Sequence, residues 1–444
     1  MARTIEEYVG QAMDDARLSP LHYRIFGLIA AGYFFDVLNF IVLGSLIPDM
    51  VKTGFATADQ AVLAQSATLV GLFIGSVGQG QFTDRIGRKS VYQFNLLLFG
   101  LATIASAFSP NYIWLAALRF IAGIGLGAEQ PLCFAYAGEY APKYNRGKIL
   151  SMIHFIGGAC VWPIAALFTL MARDSLGWRG IWIVIGIGAL IIFALRFSLP
   201  ESPRWLAARG QGKKALEVLE KLNIPPPAEE LVETPAPAKK SDPFAIVFRD
   251  YPRRVIAGMI CFSAFFSVTI GFGTWLPNLM NSNGFTITKS LGYTFGMTLA
   301  APCASLFMMY ALDRFGRKVT SVTGFILAGF MAIAFGSAQT DLQLLAAGFI
   351  MIFCYQVGGN SMQIFASEVF PTSARASGFG ISAGVGRLAN AFALTAIGAI
   401  QLSYGLHGVV IFLAALLAIA AVGMTQLGPE SRGRALEEIA SKGR

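Results

Sequence analysis

The chain carries twelve apolar runs, near residues 21–48, 61–82, 91–109, 112–138, 149–171, 178–199, 255–280, 291–312, 319–338, 342–366, 377–401 and 404–427. Each is long enough to cross a hydrocarbon core of about 30 Å, which takes roughly 20 helical residues. Inside lipid every backbone N–H must find a partner without water, so runs of this kind fold as helices. Composition agrees. Of 444 residues, 55% are hydrophobic and only 13% charged, against about a quarter charged in a soluble domain. The expected fold class is all-α integral membrane, with twelve transmembrane helices in two six-helix bundles.

The opening stretch MARTIEEYVGQAMDDARLSP is polar and mixed in charge, with no short apolar core, so the first run is expected to serve as its own insertion signal. The net charge is +9, and its placement explains it. With the N-terminus inside, 27 of the 34 Lys and Arg residues fall on the inner side. Four fall outside, Lys52, Arg173, Arg179 and Lys289, and Arg119, Arg196 and Arg387 lie within runs. This bias orients a multi-pass protein with both termini in the cytoplasm, in the cell (inner or plasma) membrane. The basicity needs no nucleic-acid partner. The five cysteines, Cys133, Cys160, Cys261, Cys303 and Cys354, all sit in apolar runs without a metal-binding spacing, and read as small buried hydrophobes.

An internal repeat organises the chain. DRIGRK begins at Asp84 and DRFGRK at Asp313; EYAPKYNRG begins at Glu139 and EVFPTSARA at Glu368; PES occurs at Pro200 and Pro429; and Pro48 matches Pro277. Every pair is offset by 229. An even number of spans per copy makes the copies parallel, an arrangement common in transporters with a midplane site. The expected domains are 1–200, a first bundle; 201–254, a polar segment; and 255–444, a second bundle with its tail. The polar segment opens with an amphipathic helix over Pro203–Leu222 and turns Pro-rich at NIPPPAEELVETPAPAKK, an extended linker, or a small regulatory module.

These residues resemble the major facilitator superfamily over essentially the whole length. GQFTDRIGRKS (Gly80–Ser90) resembles its signature loop between spans 2 and 3, with LDRFGRK as the second-half echo. RFIAGIGLGAEQP, GEYAPKYNRGK, PESPRWL and the tail PESRGRALEEI resemble its sugar-porter-related branch. Within that branch, GLGAEQP, FGTWLPNLM and GVGRLANAF are most similar to nicotinate and aromatic-acid:proton symporters, a group that also neighbours synaptic-vesicle-glycoprotein-like transporters. The chain has SVTIGFGTWLPN where sugar porters usually carry Q-Q-x-x-G-x-N, which counts against a hexose. The resemblance implies an inner-side charge network that holds the halves together in the outward-facing state. Its expected members are Asp84, Arg85, Arg88, Glu139, Arg146 and Glu201, with Asp313, Arg314, Arg317, Glu368, Arg375 and Glu430.

The charged residues inside the runs carry the functional reading. Asp36 sits near the midplane of span 1, where a charge costs a few kcal/mol or more and usually faces a partner or a wet cavity. In the resembled branch a span 1 acid and a span 4 Arg form the proton-coupling pair, which here implies Asp36 and Arg119. The alternative is a static buried pair. Glu129 is a second candidate proton site or substrate contact, or else a helix-packing acid. Arg387 has no counterpart at the repeat offset, since it maps to Gly158. It is either an anchor for an anionic substrate, because a planar guanidinium grips carboxylates bidentately, or a structural partner to a carbonyl or acid. The remaining candidate substrate contacts are Asn39, Trp162, Tyr355, Gln356, Asn360, Gln363 and Asn390, with Gln356, Asn360 and Gln363 on one helical face. Phe35 in span 1 and Trp275 in span 7 are further candidate aromatic contacts, and His154 reads as a packing residue.

The chain lacks a Walker A loop and the common hydrolase, protease and kinase motifs. The expectation is therefore not an enzyme but a secondary transporter, without cofactors, driven by the proton gradient. It would import a small organic anion, an aromatic or heteroaromatic carboxylate such as nicotinate, by proton symport. The alternatives are a sugar or polyol symporter or facilitator, and a transport-dead sensor. Substrate, protons and lipid are the expected partners, with the chain a monomer.

Overall fold

The computed structural model describes residues 3–227, 231–232, 242–271, 293 and 295–441. Nine of the described helices are long and apolar enough to cross a membrane. They begin with span 1 (Pro20–Lys52), span 3 (Arg88–Ala107) and span 4 (Tyr112–Tyr140). Arg146–Arg196 follows and is two spans, 5 and 6, because Gly177 turns the backbone to φ 62° and ψ 177° inside it. Span 8 (Phe295–Phe315), span 9 (Arg317–Gly336), span 10 (Asp341–Glu368), span 11 (Arg375–Gly405) and span 12 (His407–Leu427) complete the nine. Ala58–Ile86 is span 2, a 29-residue helix diluted by Gly, Ser and Gln. Pro252–Ile270 begins span 7. The chain is thus an all-α, twelve-span membrane protein. Trp275, Pro277 and Lys289 lie outside the described residues.

Helices meet through small residues, the packing that lipid favours. A Cβ on Gly75 in span 2 would run into the carbonyl oxygen of Ile124 in span 4, so only glycine permits that approach. Span 5 is interrupted by a π-helical turn, Phe155–Ala159. Such turns re-aim side chains and often sit at functional sites; this one lies between His154 and Trp162, which both face the central cavity.

Three features depart from expectation. The central amphipathic segment is two short helices, Pro203–Ala208 and Gly212–Lys221, because Gly210 adopts φ 71° between them. The polar N-terminus forms a capped helix, Ile5–Asp14, in which Thr4 and Glu7 make a reciprocal capping box. Cys133, Cys261 and Cys354 are buried, but Cys160 is half-buried and Cys303, on span 8, is exposed. Among the described residues no group of His, Cys, Asp or Glu is placed to hold a metal ion.

Candidate transport site

The two signature loops close the basic face of the molecule. Gly87 and Gly316 sit at φ 119° and 92°, which L side chains rarely adopt, and each turns the chain from one span into the next. Asp84 then accepts from the amides of Ala376 and Ser377, at 3.3 and 2.8 Å, across the molecule at the start of span 11. Asp313 accepts from Gly147 and Lys148, at 3.0 and 2.9 Å, at the start of span 5. Each carboxylate thus caps an opposite-half helix whose first N–H groups would otherwise be orphaned. Glu201 accepts from the amides of Arg88 and Lys89, and Glu430 from those of Arg317 and Lys318. Arg88 pairs with Glu139 at 2.9 Å and Arg317 with Glu368 at 3.0 Å. These contacts repeat at the offset seen in the sequence.

One limb of the network is asymmetric. Arg375 crosses to Glu139 at 2.6 Å. Its repeat partner, Arg146, does not bond Glu368, because Asp14 of the N-terminal helix takes it at 2.7 Å. Asp14 also holds Arg204, which reaches Glu437 of the C-terminal helix at 2.5 Å and the Glu139 carbonyl at 3.2 Å. Burial pushes the Glu437 carboxyl up, but Arg204 beside it more than offsets this and leaves it below its ordinary value. Sequence reasoning missed Asp14, Arg204 and Glu437, since none belongs to the repeat. Arg85 and Arg314 stand apart from the network. Arg85 points outward to Asp242, and Arg314 lies over Tyr310 and Phe315.

Between the halves lies a cavity of about 200 Å³, smaller than the roughly 300–1,000 Å³ of drug-sized sites and suited to a small molecule. Its walls are mostly apolar and aromatic, and include Tyr33, Phe265, Phe266 and Trp162. Phe265 and Tyr355 are stacked at 4.8 Å with an interplanar angle of 14°. The polar groups include Asp36 from span 1, Gln130 from span 4, Gln356 and Gln363 from span 10, and Arg387 and Asn390 from span 11. Of the expected substrate contacts, Trp162, Tyr355, Gln356, Gln363, Arg387 and Asn390 therefore line it. Asn39 does not, because its amide is taken by Thr103 at 2.6 Å and by Arg119 at 3.1 Å. Asn360 is also off the cavity and buried. Four residues advance a helix by about 40° beyond a full turn, which carries Asn360 past the edge of the stripe set by Gln356 and Gln363.

The buried charges pair differently from the sequence expectation. Arg119 is not bonded to Asp36. It donates to Asn39, Ser106 and Thr103 and lies 4.3 Å over the Trp182 ring, so polar neutral groups and an aromatic face satisfy it. Asp36 has no ion pair within 4.0 Å among the described residues, and the charges acting on it are Glu129, Arg387 and Arg196. Glu129 is paired instead with Arg196 of span 6 at 3.0 Å, and Arg196 also stacks 3.7 Å over Tyr92. Both members of that pair are fully buried, which reads as a tie between spans rather than a substrate contact. Arg387 lines the cavity and also crosses into the other half. It donates to the Gly127 carbonyl at 2.5 Å, to the Leu72 carbonyl at 3.3 Å and to the Ser76 hydroxyl.

A family model described as "Sugar (and other) transporter" matches residues 25–442. The chain belongs to that family, within the major facilitator superfamily, and is a transporter rather than an enzyme. It is 29% identical over 435 residues to the niacin transporter NiaP of Acinetobacter baylyi, covering 96% of this chain and 98% of that one. It is 28% identical to the 4-hydroxybenzoate transporter PcaK of the same organism, covering 86% and 85%. Among solved structures it resembles the proton:xylose symporter XylE with a TM-score of 0.81 at 20% identity, covering 96% of this chain and all of that one, a likeness of fold.

Proposed function

We propose that this protein imports a small aromatic or heteroaromatic carboxylate of the nicotinate type by alternating access, together with a proton. One observation carries the reading: Arg387 and Asp36, a cation and an acid from opposite halves, face one small aromatic-walled cavity. The guanidinium supplies the bidentate partner a carboxylate seeks, and the stacked rings supply a flat apolar wall for its ring. The names of the relatives, a niacin and a 4-hydroxybenzoate transporter, support the same substrate class. A neutral sugar or polyol would leave Arg387 without a role in binding.

In this reading residues 1–200 and 255–444 are the rocking halves, joined by 201–254, and the basic face is cytoplasmic, with both termini there. The protein works as a monomer in the plasma membrane and uses the proton gradient without a cofactor. Asp36 takes the proton, because it faces the cavity without a fixed partner, whereas Glu129 is held by Arg196. Arg119 serves by holding span 1 to span 3 through Asn39 and Thr103.

Proteoliposomes test this with a pH jump. An inward proton gradient should drive accumulation of nicotinate or 4-hydroxybenzoate by the wild type, while Asp36→Asn equilibrates or exchanges without accumulating. Undiminished accumulation by Asp36→Asn overturns the proton assignment.

A further inference from the structure

The floor of the cavity is a polar bridge between the two halves, and Arg387 is its centre. Arg387 belongs to span 11, yet every hydrogen bond its guanidinium makes among the described residues goes to the other half. Nη1 serves the Leu72 and Gly127 carbonyls and the Ser76 hydroxyl, and Nη2 reaches Gln130 Oε1 at 3.4 Å. The Gln130 amide in turn donates to Gln363 of span 10 at 2.8 Å, a second link across the same gap. All the acceptors of Arg387 are neutral, and Nε has no hydrogen bond among the described residues. The Nε/Nη2 edge is thus the side of the fork open to a ligand in the cavity.

We propose that the substrate's carboxylate is the key that releases this bridge: it draws Arg387 off its neutral acceptors in the first half, and the basic-face closure loosens as a result. The inference rests on the proposed carboxylate substrate and adds what the charge does. A charged acceptor bonds a guanidinium about twice as strongly as a neutral one, so the exchange favours the ligand. A ligand shifts a two-state equilibrium only through its differential affinity for the two states. An anion has that difference here, because in the closed state Nη1 is committed to the first half and only the Nε/Nη2 edge is left to a ligand, whereas in the open state the whole fork would turn to it. A neutral isostere fills the same space, leaves the bridge intact and opens nothing.

The closure has a direct reporter. The amides of Gly147, Lys148, Ala376 and Ser377 are bonded to aspartates of the opposite half, so their hydrogen exchange measures how often the basic face opens. The full-length protein in nanodiscs would be compared with no ligand, with nicotinate or 4-hydroxybenzoate, and with their neutral amides, binding being checked by calorimetry. The carboxylates should speed exchange at these four amides and the amides should not. Ser76→Ala, which removes one neutral acceptor, should speed exchange without ligand by about tenfold, the worth of one hydrogen bond to a charged group. Arg387→Gln should exchange fast whether or not a carboxylate is present. Bound carboxylate with unchanged exchange, or Ser76→Ala indistinguishable from wild type, overturns the release mechanism and leaves the proposed function standing. Failure of every carboxylate to bind the wild type overturns the function and this inference together.

Discussion

At the residue scale, each intramembrane charge has a different way of being tolerated. Arg119 is covered by four neutral oxygens and a Trp ring, Glu129 and Arg196 neutralise each other, and Asp36 has a cavity. Breaking a buried pair leaves an uncompensated charge, at a cost of about 3–5 kcal/mol. Glu129→Gln and Arg196→Met should each lower the thermal unfolding midpoint in detergent, and the double variant should recover much of the loss. Asn39→Ala should cost about 1–3 kcal/mol by depriving Arg119 of an acceptor, read in the same unfolding assay. That five charges, Asp36, Arg119, Glu129, Arg196 and Arg387, lie at depth was legible in the sequence, because single charges stand out in apolar runs. Their partners were not. Arg196 meets a residue 67 positions away and Arg387 reaches across 260, and no local spacing encodes such meetings.

At the scale of elements, the repeat foretold where many of the basic-face contacts fall. Once one signature loop is seen, the same offset places its twin, and the caps by Glu201 and Glu430 follow it faithfully. The helical runs were equally legible, since length and apolarity suffice in lipid. What escaped was set by single backbone turns and by segments outside the repeat. Gly210 splits the central helix, and Asp14 takes the arginine that the repeat reserves for Glu368. Asp14→Asn should therefore release Arg146 and Arg204 together and free both terminal helices, seen as faster limited proteolysis at both ends of the chain. The pH dependence of the C-terminal contact has a definite sign. Glu437 is held below its ordinary value of 4.5, so its contribution is fully present above that value and is lost only as the pH falls through the lower folded one. Protection of the tail should be constant across neutral pH and fail in acid.

At the scale of the whole molecule, paired carboxylate caps link the halves at the basic face, while among the described residues the cavity between them holds one acid, Asp36, and one arginine, Arg387, from opposite sides. The halves are thus held together at the basic face, and the proposed anion site lies in the cavity between them. Asp84 is fully buried, whereas Asp313 is 22% exposed. The two halves of the seal are therefore unequal, and Asp84→Asn should raise basic-side accessibility to a thiol reagent more than Asp313→Asn does, with cysteines placed in the cavity.

The most direct test of the account is equilibrium binding to the purified wild type and to Arg387→Gln. The ligands would be an aromatic carboxylate, its neutral amide, and a pentose. The account predicts that the wild type binds the carboxylate at least tenfold (~1.4 kcal/mol) more tightly than either neutral ligand, and that Arg387→Gln erases the difference. Tight binding of the pentose with no preference for the carboxylate would contradict it.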